Sequence, residues 1–156
     1  MVEAEDKSRG GAEPGEGEPH YPTPLTVAGR VRSFRHALAG LWFVLRSQHN
    51  AWLHAVATAA ALALAGVLEA TVADFAPGDW CALALAITLV WVAEAFNTGL
   101  EVLSDAVEPS RHPVIKVAKD VAAGAVLMAS VGAAAVGCIL FAGPVAALAR
   151  RVLGGE

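Results

Sequence analysis

Residues 121–149, VAAGAVLMASVGAAAVGCILFAGPVAALA, contain no Asp, Glu, Lys or Arg. About 20 apolar residues in a helix, at ~1.5 Å each, cross a hydrocarbon layer ~30 Å thick, so this run is long enough to span a membrane. Pro144 near its end is expected to kink the helix or close it. Two further runs precede it. Trp52 to Ala73 carries one charge, Glu69, and a second run opens at Trp80, meets no charge before Glu94 and stays helix-compatible to about Val107. The chain has 156 residues, 56% apolar and 17% charged, an odd ratio for a small water-soluble protein. The expected fold is an all-α integral membrane protein with spans at about 52–73, 80–107 and 120–149.

Outside the spans the composition changes. Residues 1–24 hold six of the fifteen acidic and two of the eleven basic side chains, which leaves nine of each in residues 25–156, so the net charge of −4 belongs to the tail. That tail is rich in Pro and Gly, has almost nothing apolar to bury, and reads as disordered. It also lacks the basic patch and short apolar core of a signal peptide. The neutral body, 25–156, excludes the broad basic surface of a nucleic-acid binder. Cys81 and Cys138 lie inside apolar runs without metal spacing and read as small buried residues. Residues 25–50 place Val27, Val31, Phe34, Leu38, Leu41, Trp42 and Leu45 at three- and four-residue steps with arginines elsewhere, the pattern of an interfacial amphipathic helix. The alternative, a surface helix of a soluble cap, lacks a soluble core to pack on.

Lys and Arg set the orientation. Arg30, Arg32, Arg35 and Arg46 precede the first span and Arg111, Lys116 and Lys119 separate the second from the third, whereas Glu69 to Asp79 has none; Arg150 and Arg151 count the other way. The N-terminus and second loop are expected to face the cytoplasm. Small residues at four-residue spacing, Ala55, Ala59 and Ala63 in span one and Ala125, Ala129 and Ala133 in span three, would let helices approach closely, though Ala-rich spans are also simply common. Three helices enclose little, so oligomerisation is the easier way to surround a polar site.

Such a site is suggested by the second span. Glu94, Asn97, Thr98, Glu101 and Asp105 fall within a narrow arc at 100° per residue, three carboxylates and two hydrogen-bonding groups on one stripe. A charged side chain at the membrane centre costs ~2.5–3.5 kcal/mol on insertion scales, so the stripe must face protein, ions or water. The alternative places only Glu94 inside and the rest on a solvated helix end. Pro113 suits the first turn of the next helix, which carries Lys116, Lys119 and Asp120 at the same boundary. The lysines fit phosphates facing the acids; taken alone, they read rather as positive flanks of a span. Carboxylates so placed suit Mg²⁺, which keeps waters and substrate phosphates alongside one or two protein ligands, and a spare carboxylate could act as general base in phosphoryl transfer. No GxxxxGK[ST] or glycine-rich kinase loop is present.

Glu94-Ala-Phe-Asn97-Thr98-Gly-Leu-Glu101-Val-Leu-Ser-Asp105 resembles the signature ExxNTxxExxxD of the small prokaryotic lipid kinases that comprise diacylglycerol kinase and undecaprenol kinase. Lys116-Val-Ala-Lys119-Asp120-Val-Ala-Ala-Gly-Ala-Val-Leu127 is similar to that family's KxAKDxxAxAVL, and Gln48-His-Asn50-Ala-Trp52-Leu-His54 more loosely resembles its ExNxRxH. The resemblance covers about Arg32 to Phe141. It implies Glu94 as catalytic base on the lipid hydroxyl with Asn97 beside it, Glu101 as a Mg²⁺ ligand, and Lys119 and Asp120 on the nucleotide. Arg111 and His112 lie in the turn that closes over ATP in the family, and Arg35 and His36 could add contacts from the amphipathic helix. Thr98, Asp105 and Arg35 complete the substrate contacts it implies, and Thr98, where diacylglycerol kinases tend to have Ser, tilts toward a polyprenol. The family is trimeric with shared sites. Gln48 and Trp52 depart from its pattern, standing where Glu and Arg are frequent; an amide oxygen still ligates Mg²⁺, without charge.

The leading expectation is an ATP-dependent kinase that phosphorylates the hydroxyl of undecaprenol or diacylglycerol at the cytoplasmic face of the inner membrane, with Mg²⁺ and a homotrimer. The alternatives are a small scaffold or cation-conducting protein using the acidic stripe, which would not require Lys116 and Lys119 opposite the acids, or a catalytically inactive relative.

Overall fold

The computed structural model describes residues 26–154; the acidic tail expected to be disordered lies outside them. Four helices follow in order: α1 Val27–Ser47, α2 His49–Thr71, α3 Pro77–Val107 and α4 Pro113–Gly154, with no strand among the described residues. The chain divides into two compact units, Met1–His36 and Ala37–Glu156. In the first, the helical residues Val27, Val31 and Phe34 present an exposed apolar face. In the second, α2, α3 and α4 are each long and apolar enough to cross a membrane.

The break between α1 and α2 is one residue. Gln48 adopts an extended backbone (φ −107°, ψ 122°) between Ser47 and His49, and its N–H still bonds to the Val44 carbonyl. The amphipathic pattern, read to residue 50, overruns this break because His49 and Asn50 are as compatible with one helix as with the other. On α2, Ala51, Ala65 and Leu68 are buried. Its C-terminus is held by Arg151, whose Nη1 donates to the Thr71 carbonyl at 2.7 Å and so satisfies one of the acceptors a helix end leaves open. At the start of α3 the Asp79 carboxylate accepts the Ala76 N–H at 2.9 Å and Pro77 occupies the first turn, where its missing N–H costs nothing. Phe75 packs edge-on against Trp80 (5.9 Å between centroids) and lies near Phe141 of α4.

Two expectations are corrected here. Pro144 does not end α4, which runs on to Gly154; a proline removes one helix hydrogen bond, and in an apolar setting the helix keeps the rest. Cys81 and Cys138 are exposed, not buried. The reason is the thinness of the bundle. Leu85, Phe96, Leu127, Met128 and Ile139 are likewise exposed, at 65–80%. An apolar exterior of this kind is suited to lipid, where an apolar sequence does not imply a buried side chain.

Candidate active site

Fully buried polar groups cluster on α3. Glu94 is 1% exposed, Thr98 2% and Asn97 6%, whereas Glu101 is half-buried and Asp105 exposed. The stripe read from the sequence is therefore one face with a gradient, not one site. Its upper part lies inside the bundle and its lower end at the surface. No group of three or more His, Cys, Asp or Glu side chains converges on one point among the described residues.

In the upper part, Thr98 Oγ1 donates to the Glu94 backbone carbonyl at 2.9 Å, one turn back. This bond occupies the hydroxyl internally. Glu94 Oε1 and Oε2, Asn97 Oδ1 and His54 Nε2 are buried without a hydrogen-bond partner. Glu94 Oε2 lies 3.6 Å from His54 Nε2 on α2, too long for a hydrogen bond and within range of an ion pair. Glu101 is better satisfied. Gln48 Nε2 donates to its Oε2 at 2.9 Å and Asn97 Nδ2 to its Oε1 at 3.4 Å. The extended backbone at Gln48 is what frees this side chain from either helix and brings it to α3.

The lower part is a cleft of about 520 Å³ at the α3–α4 turn, lined among others by Asp105, Arg111, His112, Lys116 and Lys119. Lys119 Nζ donates to Asp105 Oδ1 at 2.5 Å, a contact between the two helices, with the side chains 31% and 69% exposed. Lys116 does not meet the acids of α3. It pairs with Asp120 one turn further along its own helix at 2.5 Å, both side chains well exposed. Exposed pairs of this kind are worth about 0–1 kcal/mol, so a phosphate can displace either carboxylate at small cost. The turn itself is tied by Glu108, whose Oε1 accepts both the Ser110 N–H at 3.0 Å and the Ser110 hydroxyl. These two bonds, the hydroxyl's first, hold the Glu108 carboxyl below its ordinary value of 4.5. Arg35 and His36 belong to the first unit and stand exposed on α1.

An apolar cleft of about 270 Å³ lies between the spans, with His54 at its wall beside Ala57, Ala61, Val90, Ala133 and Ala134. Trp91 Nε1 donates to Thr58 Oγ1 at 3.1 Å, and the His54 ring meets Trp91 edge-on with centroids 6.4 Å apart.

Comparison with known proteins fits this layout. The family model described as prokaryotic diacylglycerol kinase matches residues 35–141. The chain belongs to that family. It is 33% identical over 110 residues to the undecaprenol kinase of Bacillus subtilis (strain 168), covering 70% of this chain and 85% of the relative. It is 35% identical over 139 residues to the diacylglycerol kinase of Synechocystis sp. (strain ATCC 27184 / PCC 6803 / Kazusa), covering 88% of this chain and 77% of the relative. No solved structure matches. Membership in the prokaryotic diacylglycerol kinase family makes the chain a lipid kinase, a phosphotransferase with an alcohol acceptor and ATP as co-substrate. The scaffold and ion-path alternatives give way to it. Sequence reasoning assigned no role to His54. Its signal was present in the spacing: His54 and Thr58 on one helix and Trp91 and Glu94 on another are each a turn apart, so a contact between one pair brings the other together.

Proposed function

We propose that the chain phosphorylates the hydroxyl of undecaprenol or diacylglycerol, with Glu94 as general base. The observation that carries this reading is the pair of donor-free carboxylate oxygens on a side chain 1% exposed, on the same helix face as a solvent-open cleft that holds Lys119. When ionised, a buried carboxylate with nothing donating to it has both oxygens free to accept a proton, and a hydroxyl is the group such a position admits. The lipid O–H breaks, its proton passes to Glu94, the alcohol oxygen bonds to the γ-phosphorus, and the bond to the ADP oxygen breaks. Asn97, with Oδ1 open, orients the hydroxyl. Lys119, exchanging Asp105 for phosphate, neutralises charge on the nucleotide, and Arg111 and His112 close the same cleft. Asp120, turned to Lys116, would reach the nucleotide only if that exposed pair opens. The apolar cleft beginning at His54 offers the acceptor's hydrocarbon a path toward Glu94.

Mg²⁺ fits the residues in one respect. Glu101, Gln48 and Asn97 form an oxygen-bearing set with one carboxylate, and Asn97 Oδ1 beside Glu101 is a buried acceptor without a donor. Glu101 and an oxygen of Gln48 would hold the ion, which supplies charge neutralisation on the phosphates. The set carries less charge than a two-carboxylate site. Thr98 favours undecaprenol as acceptor. Positive residues flanking the cleft support a cytoplasmic site in the inner membrane, and the exposed apolar face of α3 at Phe96, Gly99 and Leu103 supports assembly into a homotrimer. The test is purified protein in mixed micelles with labelled ATP and either lipid. Transfer to one of them, lost in Glu94→Ala, is expected; transfer to neither refutes the reading.

A further inference from the structure

Glu94 is the most deeply buried charged side chain described, and a base must be ionised to act. Removing a carboxylate from water without a partner favours its protonated form, which cannot take a proton from an alcohol. The surroundings narrow what could keep it charged. On α3 itself, Glu101 is occupied by the amides of Gln48 and Asn97. On α4 no charged residue occurs between Asp120 and Arg150, Lys119 is engaged with Asp105, and the thiol of Cys138 is exposed. In the part of α1 that belongs to the second unit, Arg46 is exposed and stacks on Trp42 with its guanidinium 5.0 Å from the ring centroid. On α2, His49 is exposed. That leaves His54, whose Nε2 lies 3.6 Å from Glu94 Oε2 with no hydrogen-bond partner of its own.

We propose that His54 is the positioning residue for Glu94: as an imidazolium it keeps the buried carboxylate ionised and turned toward the lipid hydroxyl. Two unpartnered buried atoms of opposite potential charge facing each other solve each other's problem. Either alone would be costly, and together they form an ion pair in a low-dielectric setting, where such attraction is strong. The imidazole is held for this purpose by its neighbours. Trp91 meets it edge-on and is itself fixed by the hydrogen bond from Nε1 to Thr58 Oγ1, so ring and carboxylate are braced by a second contact one turn away on both helices. During transfer the lipid O–H breaks, its proton goes to Glu94, the alcohol oxygen bonds to the γ-phosphorus as the bond to the ADP oxygen breaks, and His54 keeps its proton throughout. The proposal rests on Glu94 being the base.

The test compares wild type, His54→Gln, which keeps an N–H and loses the charge, and Glu94→Gln. Turnover against pH in mixed micelles and the infrared band of a protonated carboxyl are both read. In His54→Gln, kcat should fall about tenfold at neutral pH, the acidic limb of the profile should move up by about two pH units, and a protonated-carboxyl band near-absent from wild type at pH 7 should appear and vanish again in His54→Gln/Glu94→Gln. An unmoved profile and no such band in His54→Gln, with Glu94→Gln inactive, would overturn the role of His54 and leave the base intact. If Glu94→Gln instead retained turnover, the base assignment would fail, and the infrared band alone would still decide whether His54 keeps Glu94 ionised.

Discussion

Glu94 and Gln48 differ in how their neighbours were prepared. Glu94 has no donor on either oxygen, so Glu94→Gln removes the proton acceptor while keeping shape; kcat is expected to fall by about 10²–10⁴ in the micelle assay with the KM for ATP little changed. Gln48 already meets Glu101 at 2.9 Å. Gln48→Glu would replace that bond with a second carboxylate, and the Mg²⁺ concentration for half-maximal turnover should drop; an unchanged Mg²⁺ dependence would remove Gln48 from the metal site. Glu108 gives a pH effect with a defined sign. Its carboxyl is held below 4.5 by the Ser110 hydroxyl and amide, so its contribution to closing the turn is present above that value and lost as pH falls through the lowered one. The Ser110 amide resonance should move in that acidic window in wild type and stay still in Glu108→Gln.

At the scale of the helices, burial along α3 separates two tasks. Near Glu94 the helix is enclosed and near Asp105 it is open, so under the proposed roles the proton would be handled in a dry place and the nucleotide in a wet one. Lys119→Ala should raise the KM for ATP several-fold with the KM for lipid unchanged, and Ala134→Phe, which fills the apolar cleft, should do the reverse. The spans were legible from charge-free runs because a bilayer imposes length and apolarity together. The stripe from Glu94 to Asp105 was legible because helical periodicity depends on sequence alone. What escaped was whatever depends on a second helix: the pairing of Lys119 with Asp105 while Lys116 meets no acid of α3, the single-residue break at Gln48, and His54 facing Glu94. The exposure of Cys81 and Cys138 escaped for a related reason, since an apolar neighbourhood in sequence does not distinguish lipid from protein core.

For the molecule as a whole, three spans leave most large apolar side chains uncovered and place the polar atoms of one site on α2, α3 and the α1–α2 junction. If copies assemble with sites completed across subunits, mixing Glu94→Gln with Lys119→Ala in detergent and reconstituting them together should give turnover at low ATP above the sum of the two variants assayed alone, whereas independent sites would give that sum and no more. Deleting residues 1–24 should leave turnover intact, since the nine acidic and nine basic side chains of the body balance without the tail.

Trp91 has one more use. Of the four tryptophans, it alone is described with its indole N–H bonded to another span and its ring against His54. An imidazolium quenches indole emission more than a neutral imidazole does, so a chain in which Trp42, Trp52 and Trp80 are replaced by Phe would carry its own optical gauge of the membrane interior, readable during turnover without an added dye.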